Sequence, residues 1–158
     1  MTELFRLSPE VAGQLGSRTI MRPCADPNAV PEVERLEYVF DGWLGDDLIE
    51  SFPCFIATER LASALAGEKL TGLRLEEAQV GKSEQFRELY PRRKLPPFKW
   101  LLPLGQVRLV KSAFRQWSGE DLCLAQRAEL VVSERALAVL RKFQIDNCDI
   151  ETLADKTG

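Results

Sequence analysis

The sequence predicts an α+β fold with a mixed sheet or sheets and few helices. Short apolar runs bounded by turn residues outnumber amphipathic helical segments, and a strand–helix–strand pattern occurs twice. The chain has 158 residues, of which 45% are hydrophobic and 28% are charged. A chain of this size and composition can bury a core without a disulfide or metal. We therefore expect a single domain over 1–158.

The first part of the chain is rich in proline, glycine and asparagine, which interrupt regular structure. We expect a loop-rich arm over 1–31, with one short strand around Thr19 to Met21. Leu36 to Phe40 should form the next strand, because aromatic and β-branched side chains cluster there.

The first strand–helix–strand unit is predicted over 52–80. Phe52 to Ala57 is a short apolar run typical of a buried strand. Thr58 then offers a hydroxyl that can cap a helix, and Glu59 places an acid in its first turn. A returning strand should begin at Leu73.

A second unit is predicted over 130–154. With an offset of 75 residues and no gap, the segment 56–60 (Ile-Ala-Thr-Glu-Arg) aligns with 131–135 (Val-Val-Ser-Glu-Arg). Gly72 then aligns with Asn147, and both residue types tolerate a positive φ. Duplication explains this pattern, although convergence on the same cap and helix periodicity would also produce it.

The segment 81–129 is expected to be an insert of strands and loops between the two units. Phe98 to Leu104 and Gln106 to Val110 suggest two strands that form a hairpin around Gly105. Lys111 to Asp121 should be a loop.

The sequence contains no histidine, and so lacks the commonest general base and the commonest metal ligand. No glycine-rich phosphate loop or nucleophile motif occurs. The cysteines are too far apart in sequence for a C-x-x-C pair, and we expect free thiols. They are Cys24, Cys54, Cys123 and Cys148. We therefore expect no catalytic residue, no metal site and no cofactor, and predict that the protein is not an enzyme.

Composition also bears on location and partners. Met1 to Leu7 has no apolar segment typical of a signal peptide, and no run approaches the ~18 apolar residues of a membrane span. A cytoplasmic protein is expected. The net charge of −3 argues against a nucleic-acid partner.

An acidic segment over 41–50 contains four acids and no base, around an apolar centre. Such a loop is typical of inhibitors that cover a basic active site, because tryptophan is enriched at interface hot spots and complementary charge speeds association. A solvated loop with the tryptophan folded inward is the alternative. The candidate interface residues are Trp43, Leu44, Asp46, Asp47 and Glu50.

Arg92 and Arg93 form a weaker candidate for the same interface. They lie in a proline-rich loop that leads into a strand with Phe98 and Trp100. Basic residues among aromatic ones can bind single-stranded nucleic acid, but a solvated loop fits the acidic net charge better. A third possibility is that this loop docks onto the acidic segment.

Several segments resemble known bacterial proteins. Residues 40–56 and 95–101 resemble a widespread group of uncharacterised bacterial proteins. The segment 130–137 (Leu-Val-Val-Ser-Glu-Arg-Ala-Leu) is similar both to that group and to immunity proteins of polymorphic toxin systems, which bind and block a cognate toxin. The second resemblance implies a protein partner, a secreted toxin domain, and carries over no site residues.

The leading hypothesis is therefore a non-enzymatic immunity protein that neutralises a cognate bacterial toxin by occluding its active site. One alternative is a histidine-free hydrolase that uses the carboxylates of 41–50, alone or with a metal. The other is a structural adaptor. The oligomeric state is left open.

Overall fold

The computed structural model describes residues 2–156, and over that range the chain forms an α+β fold of sixteen strands and three α-helices. The predicted fold class is confirmed. The strands are β1 (Leu4–Ser8), β2 (Gly13–Leu15), β3 (Ile20–Arg22), β4 (Glu32–Arg35), β5 (Glu37–Phe40), β6 (Leu48–Ser51), β7 (Cys54–Thr58), β8 (Leu73–Glu77), β9 (Gln79–Lys82), β10 (Phe98–Pro103), β11 (Gly105–Gln106), β12 (Arg108–Val110), β13 (Ala113–Arg115), β14 (Leu122–Ala125), β15 (Glu129–Ser133) and β16 (Asp149–Asp155). The helices are α1 (Glu59–Gly67), α2 (Glu84–Leu89) and α3 (Glu134–Leu140). None of the helices within 2–156 is long and apolar enough to cross a membrane.

Two antiparallel arrangements share one strand order. In the first half, the order is β6-β7-β10-β8; in the second it is β14-β15-β1-β16. Each begins with a hairpin and ends with the strand that returns after a helix. The third strand comes from the other half, since β10 pairs with β7 and β8 while β1 pairs with β15 and β16. The two halves therefore exchange a strand.

The correspondence extends beyond the predicted units at 52–80 and 130–154. The strand β5 pairs with β2 in antiparallel fashion and with β9 in parallel fashion. In the second half, β13 pairs with β12 in antiparallel fashion and with the end of β16 in parallel fashion. The chain therefore contains two copies of one arrangement, which the first copy extends with the β3–β4 hairpin and the segment around α2.

The helices α1 and α3 begin at the predicted caps. The Thr58 hydroxyl accepts from the main-chain N–H of Leu61, and the Ser133 hydroxyl accepts from that of Ala136. The two helices contact each other and bury their leucines in one hydrophobic cluster, which also contains Leu7 of β1. Burying apolar area from both halves in one cluster couples their stability.

The arm predicted over 1–31 contains three strands, and β1 lies between two others inside the largest sheet. The expectation of one short strand there was wrong. Leu4 and Leu7 are buried in two different core clusters, whereas the nearby proline and glycine residues dominated the sequence signal. The predicted strand at Thr19 to Met21 corresponds to β3, although β4 is its only partner among the described strands.

The hairpin predicted around Gly105 is also wrong. The strand before it, β10, belongs to the first sheet, whereas β11 pairs in parallel with β14 and β12 pairs with β13. A Cβ at Gly105 would lie 2.6 Å from the Cys123 Sγ and from the Leu122 carbonyl oxygen. This glycine permits close approach of two strands rather than a reversal of the chain. The loop predicted at 111–121 contains β13.

Candidate protein-binding surface

Asp47 is buried and its carboxylate is used inside the protein. It is 1% exposed and accepts hydrogen bonds from the Thr58 hydroxyl (2.5 Å), from Nε and Nη2 of Arg60 (both 2.7 Å) and from the main-chain N–H of Gln144 (2.8 Å). Burial by itself raises the pKa of this carboxyl, but the hydrogen bonds from Arg60, Thr58 and Gln144 hold the pKa below its ordinary value. Asp47 therefore ties the 41–50 segment to α1 and to the chain after α3.

Asp46 is fully buried and binds the same region of the second half. Its carboxylate accepts from the main-chain N–H of Asn147 at 2.7 Å and from Nδ2 of Asn147 at 3.1 Å. The expectation that Asp46 and Asp47 are exposed is wrong, because both satisfy N–H groups of a segment about a hundred residues away in sequence.

Gly72 has the positive φ predicted for it, at +75°. Asn147 has no positive φ.

The second half contains the same aspartate arrangement. Asp121 accepts from the Ser133 hydroxyl at 2.7 Å, from Arg135 Nη2 at 3.0 Å and from the main-chain N–H of Thr71 at 2.9 Å. Each aspartate therefore holds a capping hydroxyl, an arginine and the segment that follows the other helix. Because both halves contain it, this arrangement belongs to the scaffold, and Asp47 is not available to a partner.

Each aspartate follows a similar tryptophan loop. The pattern tryptophan, any residue, glycine, acid, aspartate occurs at 43–47 and at 117–121. In both loops the tryptophan Nε1 donates to the carbonyl oxygen three residues later, at 2.9 Å. The two tryptophans are 74 residues apart, one fewer than the helix caps, so they do not align at the offset of 75 that aligns the caps.

Leu44 lies at the tip of the first tryptophan loop and is 68% exposed. Three further exposed apolar side chains, Val11, Leu89 and Tyr90, border the same shallow cleft of about 360 Å³. We call these four residues the Leu44 patch. A cluster of exposed apolar side chains is typical of a protein–protein contact site. Of the four, only Leu44 was predicted from sequence; Val11 lies between β1 and β2, and Leu89 and Tyr90 lie at the end of α2.

Trp43 lies between the Leu44 patch and a second cleft of about 730 Å³. The rings of Trp43 and Phe98 form a T-shaped contact, with their centroids 5.9 Å apart. The Arg93 guanidinium carbon lies 4.9 Å from the centroid of the Trp43 ring. The basic loop thus docks onto the tryptophan loop, which was one of the possibilities from sequence. Arg92 is exposed and lines neither cleft.

The second cleft is bordered by cations that reach solvent. Arg60, Arg93 and Lys94 line it, together with Pro96 and Gln144. Two acids line the same cleft: Glu59, which is exposed, and Asp47, which is buried beneath Arg60. Glu10, whose charge interacts with that of Arg93, is 6% exposed. A partner would therefore meet more of the positive charge than of the negative charge.

Glu10 was not predicted, and it orients the loop that carries Leu44. Its carboxylate accepts from the main-chain N–H of Leu44 at 2.7 Å and from that of Asp46 at 3.3 Å. Burial raises the pKa of this carboxyl above its ordinary value, although those two hydrogen bonds oppose the shift. No local sequence signal links Glu10 to a loop more than thirty residues away.

Glu50 is half-buried on β6 and lines neither cleft beside Trp43. Burial and the neighbouring charge of Glu129 raise its pKa to about 7. The structure therefore separates Glu50 from the other candidate interface residues. Among residues 2–156, no group of three or more aspartate, glutamate or cysteine side chains is placed to hold a metal ion.

No family model and no curated protein matches this sequence.

Proposed function

We propose that the protein is a non-enzymatic, protein-binding protein of the bacterial immunity type, which binds a cognate toxin domain and covers its active site. The observation that carries this proposal is the Leu44 patch, where four exposed apolar side chains border one cleft. Burying such side chains against a partner would remove apolar area from water, which is the main source of affinity in most protein complexes.

The loop that presents Leu44 is held in place before any partner binds. Glu10 binds two of its main-chain N–H groups, the Trp43 indole binds the Asp46 carbonyl, and the Asp46 carboxylate binds Asn147. A fixed loop loses little conformational entropy when it forms a complex. Asp46 and Asp47 therefore support binding by holding the loop, not by facing the partner as their sequence suggested.

The charge beside the patch indicates the chemistry of the partner. Arg60, Arg93 and Lys94 reach solvent in the cleft next to Trp43, whereas of the acids that line it Glu59 is exposed and Asp47 is buried. We therefore propose that the toxin presents acidic residues next to an apolar contact. Complementary charges of this kind accelerate association and select the partner.

The hydrolase alternative has weaker support. Asp46 and Asp47 would have to act on a substrate, but their oxygens already accept hydrogen bonds from Asn147, Arg60, Thr58 and Gln144. The adaptor alternative differs from the immunity proposal only in the identity of the partner. It would use the same Leu44 patch.

The experiment is to express the protein with the toxin domain encoded beside its gene, and to measure growth rescue and the Kd of the purified complex. Leu44→Asp should weaken binding about thirtyfold or more, as expected for loss of a hot spot worth about 2 kcal/mol. Leu104→Asp is the matched control, because Leu104 is 51% exposed but lies outside the patch.

Two results would contradict the proposal in different ways. If the wild-type protein forms no complex with the toxin domain and does not rescue growth, the immunity function is wrong. If both leucine variants bind like the wild type, the function stands but the interface lies elsewhere.

A further inference from the structure

A second candidate site lies in the other half of the molecule, in a groove of about 630 Å³. It runs between the turn after β12 and the turn that joins β14 to β15. Four basic side chains line it: Arg6, which is paired with acids, and Arg108, Lys111 and Arg127. The last three are exposed, and within residues 2–156 none of them has an ion-pair partner.

The acids near the groove do not neutralise these bases. Glu129 lines the groove, but its carboxylate lies 3.0 Å from Nη1 of Arg6. Arg6 also pairs with Glu151 through Nη2, at 2.5 Å. The Arg6 pairs thus form a separate network, and the three bases remain uncompensated on a protein whose net charge is −3.

Two of the three bases occupy strained backbone positions. Lys111 has φ +55° and Arg127 has φ +67°, in the left-handed region where glycine and asparagine are favoured. Ala128, next to Arg127, also has a positive φ, at +58°. Residues in such conformations persist where the surrounding structure or a function requires them, and they concentrate at binding sites.

The two turns are also locked to each other. The Gln126 side chain accepts from the main-chain N–H of Leu109 at 2.9 Å and donates to its carbonyl oxygen at 2.6 Å. This pair of hydrogen bonds fixes the distance between the β12 segment and the turn that carries Arg127. In the first half the corresponding turn consists of Phe52 and Pro53, and it carries no base.

We propose that this groove binds the phosphate groups of a small phosphorylated ligand. Guanidinium groups donate two parallel hydrogen bonds to phosphate oxygens, and a lysine ammonium adds a point charge. Of the described residues that line the groove, none is aromatic, so it recognises phosphate groups rather than a stacked base. The site shares no residue with the Leu44 patch and does not depend on the proposed function.

The test combines binding with stability, using pyrophosphate as the probe in calorimetric titrations at low ionic strength. Arg127→Gly and Lys111→Gly should each weaken pyrophosphate binding at least tenfold, because each removes a cation that contacts phosphate. Each should also raise the Tm by roughly 2–4 °C, because glycine adopts positive φ without strain. Gln116→Gly is the matched control: Gln116 has φ +56° and lies outside the groove, so this variant should gain stability and keep its affinity.

Binding of ADP and of citrate, compared with that of pyrophosphate, tests whether the groove selects phosphate groups over other anions. ADP should bind about as well as pyrophosphate, and citrate at equal charge should bind at least tenfold more weakly. If citrate binds as well as pyrophosphate, the attraction is non-specific and the proposal is wrong. It is equally wrong if the wild-type protein does not bind pyrophosphate at millimolar concentrations, or if both glycine variants keep wild-type affinity.

Discussion

The guanidinium carbon of Arg93 lies 4.9 Å from the centroid of the Trp43 ring. This contact joins the basic loop to the tryptophan loop, two segments about fifty residues apart in sequence. It covers one side of the indole ring and leaves Leu44 exposed beside it. The basic loop and the tryptophan loop therefore form a single surface, in agreement with one of the possibilities drawn from the sequence.

Replacing Arg93 tests that contact. Arg93→Ala should lower the free energy of unfolding by about 1 kcal/mol, which is typical of a partly exposed cation–π pair. Arg93→Lys should retain part of that stability. Urea unfolding followed by tryptophan fluorescence would measure both changes.

Arg92→Ala is the control, because Arg92 is exposed and lines neither cleft. It should change the free energy of unfolding by no more than about 0.5 kcal/mol. Equal effects at Arg92 and Arg93 would mean that the stacking on Trp43 contributes nothing.

Replacing Asp47 tests the buried network. Asp47→Asn should lower the free energy of unfolding by about 2–3 kcal/mol, because the amide cannot accept all the hydrogen bonds from Arg60, Thr58 and Gln144. Asp41→Asn should cost much less, because Asp41 is half-buried and its side chain makes no hydrogen bond with the other residues of 2–156. Chemical denaturation at pH 7 measures the difference, and similar costs at the two positions would contradict the role given to Asp47.

The same network predicts how stability changes in acid. Because the folded-state pKa of Asp47 is lowered from its ordinary value of 3.8, its contribution is present above about pH 4 and is lost as the pH falls through the folded-state pKa. The pKa of Asp121 is lowered too, so both halves should lose stability in the same acidic range.

Glu50 should make stability depend on pH in the opposite sense. Its folded-state pKa is raised from 4.5 to about 7, mainly by burial and then by the charge of Glu129. The folded state therefore binds this proton more tightly, so its stabilising contribution is complete below about pH 4.5 and is lost as the pH rises through 7.

Glu50→Gln isolates that effect. At pH 8 the variant should be more stable than the wild type by about 1 kcal/mol, because glutamine avoids the cost of a half-buried carboxylate charge. Partial exposure of the side chain screens that charge and keeps the difference small. At pH 5 the advantage should disappear. A wild-type protein and a Glu50→Gln variant with parallel stability curves from pH 5 to pH 8 would show that Glu50 titrates normally.

The parts of the fold that local chemistry determines were predictable. Thr58 and Ser133 begin their helices because a hydroxyl followed by an acid satisfies free N–H groups at a helix start, wherever it occurs. The buried strands at 54–58 and 129–133 follow from short apolar runs. These features depend on neighbours within four or five residues.

The site was harder to predict because its determinants are distant in sequence. The acids Asp46 and Asp47 resemble a solvated loop until the chain after α3 supplies the N–H groups of Gln144 and Asn147. Val11 and Leu89 resemble core residues by their side chains, and only the tertiary structure shows that both are exposed. The second tryptophan loop was detectable, but only if a one-residue change in spacing had been allowed.

The strand exchange described above also constrains when the protein can fold. The β1 residues Leu4 and Leu7 must wait for partners in β15 and β16, more than a hundred residues later in the chain. A ribosome makes β1 long before those partners, so β1 has no strand of this sheet to pair with until β15 and β16 have been made. Native structure in this sheet can form only after that point, and the unpaired β1 segment is where we expect a chaperone to bind the nascent chain.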